Sequence, residues 1–118
     1  MKRELITISD SGAVAVPNNV KMNICEIAEL FGVYYQSTKR TIRAIEKTGV
    51  TDGDYSMSCT VEGVKVYPEY YGLDMVMAVA FRVQSAKAEI FRQWIVNKVG
   101  RHGITTTLVL PLQNAILN

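Results

Sequence analysis

The chain has 118 residues, 48% of them apolar and 20% charged, with a formal net charge of +2. That length supports a single domain, residues 1–118, with its own core, and that balance excludes a disordered chain. The small net charge carries no global signature of nucleic-acid binding, so any such role must rest on local clustering of cations.

The amino terminus, MKRELITISD, has a basic pair but no apolar segment of signal-peptide length. The longest apolar run, Met75–Phe81, falls well short of the roughly 20 residues that span a bilayer. A cytoplasmic protein with no membrane contact is expected. Cys25 and Cys59 fit no metal-ligand spacing and read as buried thiols of a reducing compartment, not as a disulfide.

Taken in order, LITI (5–8) and AVAV (13–16), separated by SDSG, predict a small hairpin. Asn23 and Glu26 then have the spacing of a capping box. Ile24, Ile27, Ala28 and Phe31 recur at helical spacing with Glu26 and Glu29 outside, and Gly32 stops the helix. A second helix over about 35–47 buries Thr38, Ile42 and Ile45 and ends at Gly49. The segment SMSCTVEGVKVY predicts a hairpin over about 57–67 turning at Glu62-Gly63. Val61 then faces Val64, Cys59 faces Val66, and Thr60 and Lys65 share the opposite face, the pattern of a half-buried hairpin.

Asp74 is the expected N-cap of an all-round apolar helix over about 74–83, which is either buried on several sides or used at an interface. Ser85 can cap a last helix over about 86–99, whose inner face is Ala88, Phe91, Ile95 and Val99. ITTTLVL then reads as a final strand closed by Pro111. The expected class is α+β: a winged-helix-like helix–turn–helix domain (about 23–47) with small β-hairpins and two further carboxy-terminal helices.

A helix–turn–helix needs a small residue where its helices approach, a turn residue tolerating positive φ, and apolar anchors. Ala28, Gly32, Ile42 and Ile45 fill these roles, and each isoleucine contributes roughly 1.5–3 kcal/mol on full burial. The outward side chains of the second helix are then Tyr35, Gln36, Lys39, Arg40 and Arg43, with Lys47 near its end. Gln pairs with adenine and Arg or Lys with guanine, while the remaining cations suit phosphates. On that basis Tyr35, Gln36, Lys39 and Arg40 are the candidate base contacts, and Arg43, Lys47 and Lys65 the candidate phosphate contacts. Two departures stand against this: Thr38 occupies a usually aliphatic position, and Tyr34 is a poor N-cap.

Two motifs carry a resemblance. IAELFGV (27–33) and YYGLDMVMAVAFRVQSAKAEIFRQW (70–94) resemble the amino-terminal region of the RhuM-type virulence-associated proteins of bacteria. The matching residues are Tyr70, Tyr71, Leu73, Asp74, Phe81, Arg82, Val83, Ser85, Phe91, Arg92 and Trp94, and the likeness covers roughly 22–99. It implies a DNA-binding protein of a bacterial mobile element or genomic island. Phe81, Ala80 and Thr38 depart from the tyrosine, glycine and aliphatic residue frequent there, and the family's longer carboxy-terminal region has no counterpart here.

Asp74, Arg82 and Arg92 are expected to form a structural charge cluster, since buried charges need partners. Tyr67, Tyr70 and Tyr71 read as core aromatics with their hydroxyls at the surface. Catalysis has no support: the one histidine, His102, lies between glycines without metal-ligand companions, and neither cysteine has a base beside it. No metal, cofactor or small-molecule ligand is indicated. The expected partner is double-stranded DNA, with homodimerisation through the 75–83 or 86–99 helix. The rival expectation is a protein-interaction or antirepressor-like module without direct DNA binding, marked by a large exposed apolar or aromatic patch around Tyr34, Tyr35 and residues 70–81.

Overall fold

A computed structural model describes residues 3–101, so the expected strand at ITTTLVL and the region around His102 lie outside the described residues. The fold is α+β, with four helices and two small antiparallel hairpins among the described residues.

The first hairpin pairs β1 (Thr7–Ile8) with β2 (Val14–Ala15), Thr7 opposite Ala15 and Ile8 opposite Val14. Lys87 fastens it to the last helix by donating to the Ile8 carbonyl at 2.9 Å. Helix α1 (Ile24–Phe31) begins with the expected capping box. The Asn23 side chain accepts from the Glu26 amide at 2.8 Å, and the Glu26 carboxylate accepts from the Asn23 amide at 2.9 Å. It ends in a left-handed Gly32 with φ of +66°. The Val33 amide bonds back to the Ala28 carbonyl and the Gly32 amide to that of Glu29, so the chain turns sharply and at once satisfies two end-of-helix carbonyls.

Helix α2 (Tyr35–Thr48) follows directly and packs on α1. Tyr34 precedes it without any side-chain cap. Thr38, fully buried, resolves its own polarity: its hydroxyl donates to the Tyr34 carbonyl one turn back at 2.8 Å. A hydroxyl is thus tolerated where an aliphatic side chain was expected.

The second hairpin corrects the sequence reading. Strand β3 (Asp54–Glu62) pairs with β4 (Lys65–Tyr70) so that Glu62 opposes Lys65, Val61 opposes Val66, Thr60 opposes Tyr67 and Cys59 opposes Pro68. The turn is Gly63-Val64, one residue later than Glu62-Gly63. Gly63, at φ +64°, takes the first loop position, where positive φ is required and any side chain is strained. The face bearing Thr60, Glu62, Lys65 and Tyr67 turns to α2. The valines point outward, Val61 70%, Val66 51% and Val64 100% exposed, so the hairpin is not half-buried on its apolar side. Cys25 and Cys59 are both free and exposed, contrary to the expected buried thiols.

Helix α3 (Leu73–Ala80) is the middle of the core, with Met75, Val76, Val79 and Ala80 fully buried between α2 and α4 (Ala86–Arg101). Its N-cap is Gly72; Asp74 sits inside the first turn, where its negative charge still suits the helix dipole. The Ser85 hydroxyl caps α4 by accepting from the Ala88 amide at 3.1 Å. Phe91 joins the helices, its ring 5.8 Å from that of Phe31 and stacked on Trp94 at 5.5 Å.

Candidate functional site

The second helix of the α1–turn–α2 pair presents its polar side between solvent and the β3–β4 hairpin. At 3.6 residues per turn, Gln36, Arg40, Ala44 and Lys47 fall on one strip, and all four are exposed. Arg40 and Lys47 take part in no ion pair among the described residues. Ile42 and Ile45 are buried on the opposite side and fix the helix's rotation, while Ala28 and Gly32 set its distance and angle from α1. Lys65 is exposed beside the hairpin turn and shares with Lys47 the rim of a cleft of about 200 Å³, so two candidate phosphate contacts 18 positions apart are brought together.

Lys39 and Arg43 lie on the hairpin side of the helix and are occupied. Lys39 Nζ is 2.8 Å from Glu62 Oε2, and Arg43 Nη2 is 3.4 Å from the same oxygen. The hydrogen bond from Lys39 holds the Glu62 carboxyl below its ordinary range. Arg43 is the most enmeshed residue of the helix. Its guanidinium stacks 3.7 Å from the centre of the Tyr67 ring, and Nη1 donates to the Tyr71 hydroxyl at 3.0 Å and to Glu46 at 3.1 Å. The Tyr71 hydroxyl in turn donates to the other Glu46 oxygen at 2.8 Å. Burial pushes the Glu46 carboxyl up, against the opposing pull of Tyr71 and Arg43. Burial, and then the bond to Glu46, drives the Tyr71 hydroxyl well above its usual value. Arg43, expected at a phosphate, instead turns its guanidinium inward and joins α2 to the hairpin and to the segment leading into α3.

Tyr35 lines a second cleft, about 310 Å³, between the start of α1, α2 and the hairpin, with Cys25, Arg43, Thr60 and Glu62 among its walls. It therefore stands beside the Gln36–Arg40 strip and faces the hairpin. Tyr34 is 86% exposed at the turn. In the 70–81 segment Tyr71, Met75, Val76, Val79 and Ala80 are core, Leu73, Met77 and Ala78 are half-buried, and Phe81 is the exposed aromatic at 38%.

The expected cluster of Asp74, Arg82 and Arg92 is not formed. Asp74 stands at the first turn of α3, where it accepts from the Thr51 hydroxyl and the Met75 amide. Arg92 stands at the other end, donating to the Ala80 carbonyl at 2.6 Å and the Val83 carbonyl at 3.0 Å, a cation on the negative end of a helix. Arg82 is exposed. The tyrosines likewise separate. Tyr71 buries its hydroxyl, Tyr67 lies under Arg43, and Tyr70 lies under Arg3, whose guanidinium also forms a bidentate pair with Glu26 at 2.6 and 2.8 Å.

Sequence reasoning missed Glu62, Glu46 and Tyr71 as determinants of this surface. The partner of each cation is 19 to 28 residues away for Glu62 and Tyr71, and nothing in local periodicity signals it. No group of three His, Cys, Asp or Glu among the described residues could hold a metal ion, and no described helix is long and apolar enough to cross a membrane. No protein-family model, curated protein or solved structure matches the chain.

Proposed function

We propose that this protein binds duplex DNA as a winged-helix-like helix–turn–helix module, with α2 in the major groove and the β3–β4 hairpin as its wing. The observation that carries the reading is the strip of Gln36, Arg40 and Lys47, which is exposed and, among the described residues, enters no ion pair, on a helix locked from behind by Ile42 and Ile45. Gln36 and Arg40 have the donor and acceptor geometry to read adenine and guanine edges. Lys47 and Lys65, on a common rim, suit phosphates of one strand. Lys39, expected at a base, becomes available to the duplex, at a base edge or a phosphate, only after leaving Glu62, and Tyr35 flanks the base contacts. The RhuM-type motifs, which rest on the quoted residues alone, support a regulator of bacterial mobile-element origin working in the cytoplasm. Because α3 is spent in the core, dimerisation falls to α4, where Val96 is exposed and Trp94 half-buried.

The test is a selection from a random duplex library followed by single substitutions. Arg40→Ala should cost about 1–3 kcal/mol and relax preference at one base pair, whereas Lys47→Ala should weaken all sequences alike and reduce the salt slope by about 1. Failure to recover any motif, with no duplex binding at low salt, would sink the proposal.

A protein-interaction role is the second reading, favoured by the outward valines of the hairpin and by Tyr34. It predicts negligible duplex affinity and loss of partner binding in Val61→Ser/Val66→Ser.

A further inference from the structure

We infer that the Glu62 carboxylate is an internal stand-in for a DNA phosphate, which holds the hairpin tip across α2 until a duplex displaces it. The inference rests on the DNA-binding reading above and deepens it by assigning a competitor to the cationic face.

The tip of the hairpin has little else to hold it. Val64 is fully exposed and Val61 and Val66 are more than half exposed, so the tip buries little apolar surface that could fasten it. At the tip the connection to α2 is the single Glu62 carboxylate, 2.8 Å from Lys39 Nζ and 3.4 Å from Arg43 Nη2. Both Glu62 and Lys39 keep solvent access, with side chains 39% and 30% exposed. An ion pair so placed is weak, because water and salt screen it, and a phosphate oxygen offers the same charge and acceptor geometry.

The base of the hairpin is anchored differently. Asp54 is paired with Lys21 at 2.5 Å, Pro68 is buried, and Tyr71 makes a two-way backbone bridge with Met22 at 2.8 and 2.9 Å. Arg43 is held from behind by Tyr71 and Glu46 and stacks on Tyr67, contacts that do not run through Glu62. Displacement therefore frees Lys39 for the nucleic acid and lets the tip lift while the rest of the fold stays in place. Glu62 therefore lowers affinity twice, by occupying Lys39 and by setting a like charge beside Lys65 on the phosphate path.

The experiment is fluorescence-anisotropy binding of a labelled mixed-sequence 20-base-pair duplex to the full chain, wild type and Glu62→Gln, at several salt concentrations. Glu62→Gln should bind about 3- to 10-fold tighter at low salt, with the advantage shrinking as salt rises, since screening weakens the intramolecular pair as well. In a Lys39→Gln background the same substitution should gain clearly less. Equal or weaker binding by a folded Glu62→Gln protein, or a gain unaffected by Lys39→Gln, overturns the inference alone. Duplex binding by neither protein overturns the DNA reading and this inference with it.

Discussion

Replacing Tyr71 by Phe tests whether the Arg43–Tyr71–Glu46 network holds α2 to the rest of the fold. The substitution keeps the buried ring and its packing and removes one oxygen, so no sizeable cavity accompanies it. That oxygen donates to Glu46 at 2.8 Å and accepts from Arg43 at 3.0 Å. Arg43 keeps its own bond to Glu46, so it is not orphaned; the Glu46 oxygen loses its donor on a side chain only 9% exposed. Hydrogen bonds to charged groups contribute roughly 1.5–3 kcal/mol, and with one bond partly compensated the expected loss is about 2–3 kcal/mol. For a domain of this size that corresponds to a melting point lower by about 10 °C.

Urea unfolding at pH 7 should show a lower midpoint with an unchanged slope. The effect also has a pH signature. The Tyr71 bond lowers the Glu46 pKa, so the variant's carboxyl should titrate still higher than the wild type's. A carboxyl raised in the folded state gains stability on protonation, so the deficit of Tyr71→Phe should shrink as pH falls through that range. A loss below about 0.5 kcal/mol at pH 7 would be ordinary for a surface position and would refute the network's role.

Gly32→Ala should cost about 1–2 kcal/mol, read as a shift in urea midpoint. The added methyl meets nothing within 4 Å, so the cost comes from forcing a side chain into φ +66°, and Gly32→Asn should lose less. At acid pH, the hydrogen bonds from Lys21 and Ser56 hold the Asp54 carboxyl at about 2, below its ordinary 3.8. A depressed carboxyl stabilises above its unfolded pKa and loses that contribution as pH falls through the folded value, so the melting temperature should drop between about pH 4 and 2. Asp54→Asn should flatten that part of the profile, and an unchanged acid limb would remove Asp54 from the account.

What the amino-acid sequence determined by itself was everything governed by neighbours within a turn or two. The capping box of Asn23 and Glu26, the left-handed stop at Gly32, the buried stripe of Thr38, Ile42 and Ile45, and the Ser85 cap are all present as expected. They were legible because helix periodicity and capping join residues three to five apart, where spacing alone fixes geometry. The apolar helix at 73–80 was legible as buried or interfacial, and only its neighbours α2 and α4 decided for burial.

Tertiary structure decided the rest. Alternation in β3 and β4 suited either of two turns one residue apart, and the strain of positive φ, relieved only by Gly63 at the first loop position, chose between them. Either turn keeps Val61 and Val66 on one face and Glu62 and Tyr67 on the other, and packing against α2 took the second face and left the valines outward. It also divided one run of cations by what lay opposite each. Lys39 and Arg43 met carboxylates and an aromatic ring from distant segments, while Arg40 and Lys47, on the same helix, met solvent. A charge's availability depends on what faces it: Arg43 has one carboxylate from its own helix, Glu46, but Glu62 and the Tyr71 hydroxyl reach it only through folding.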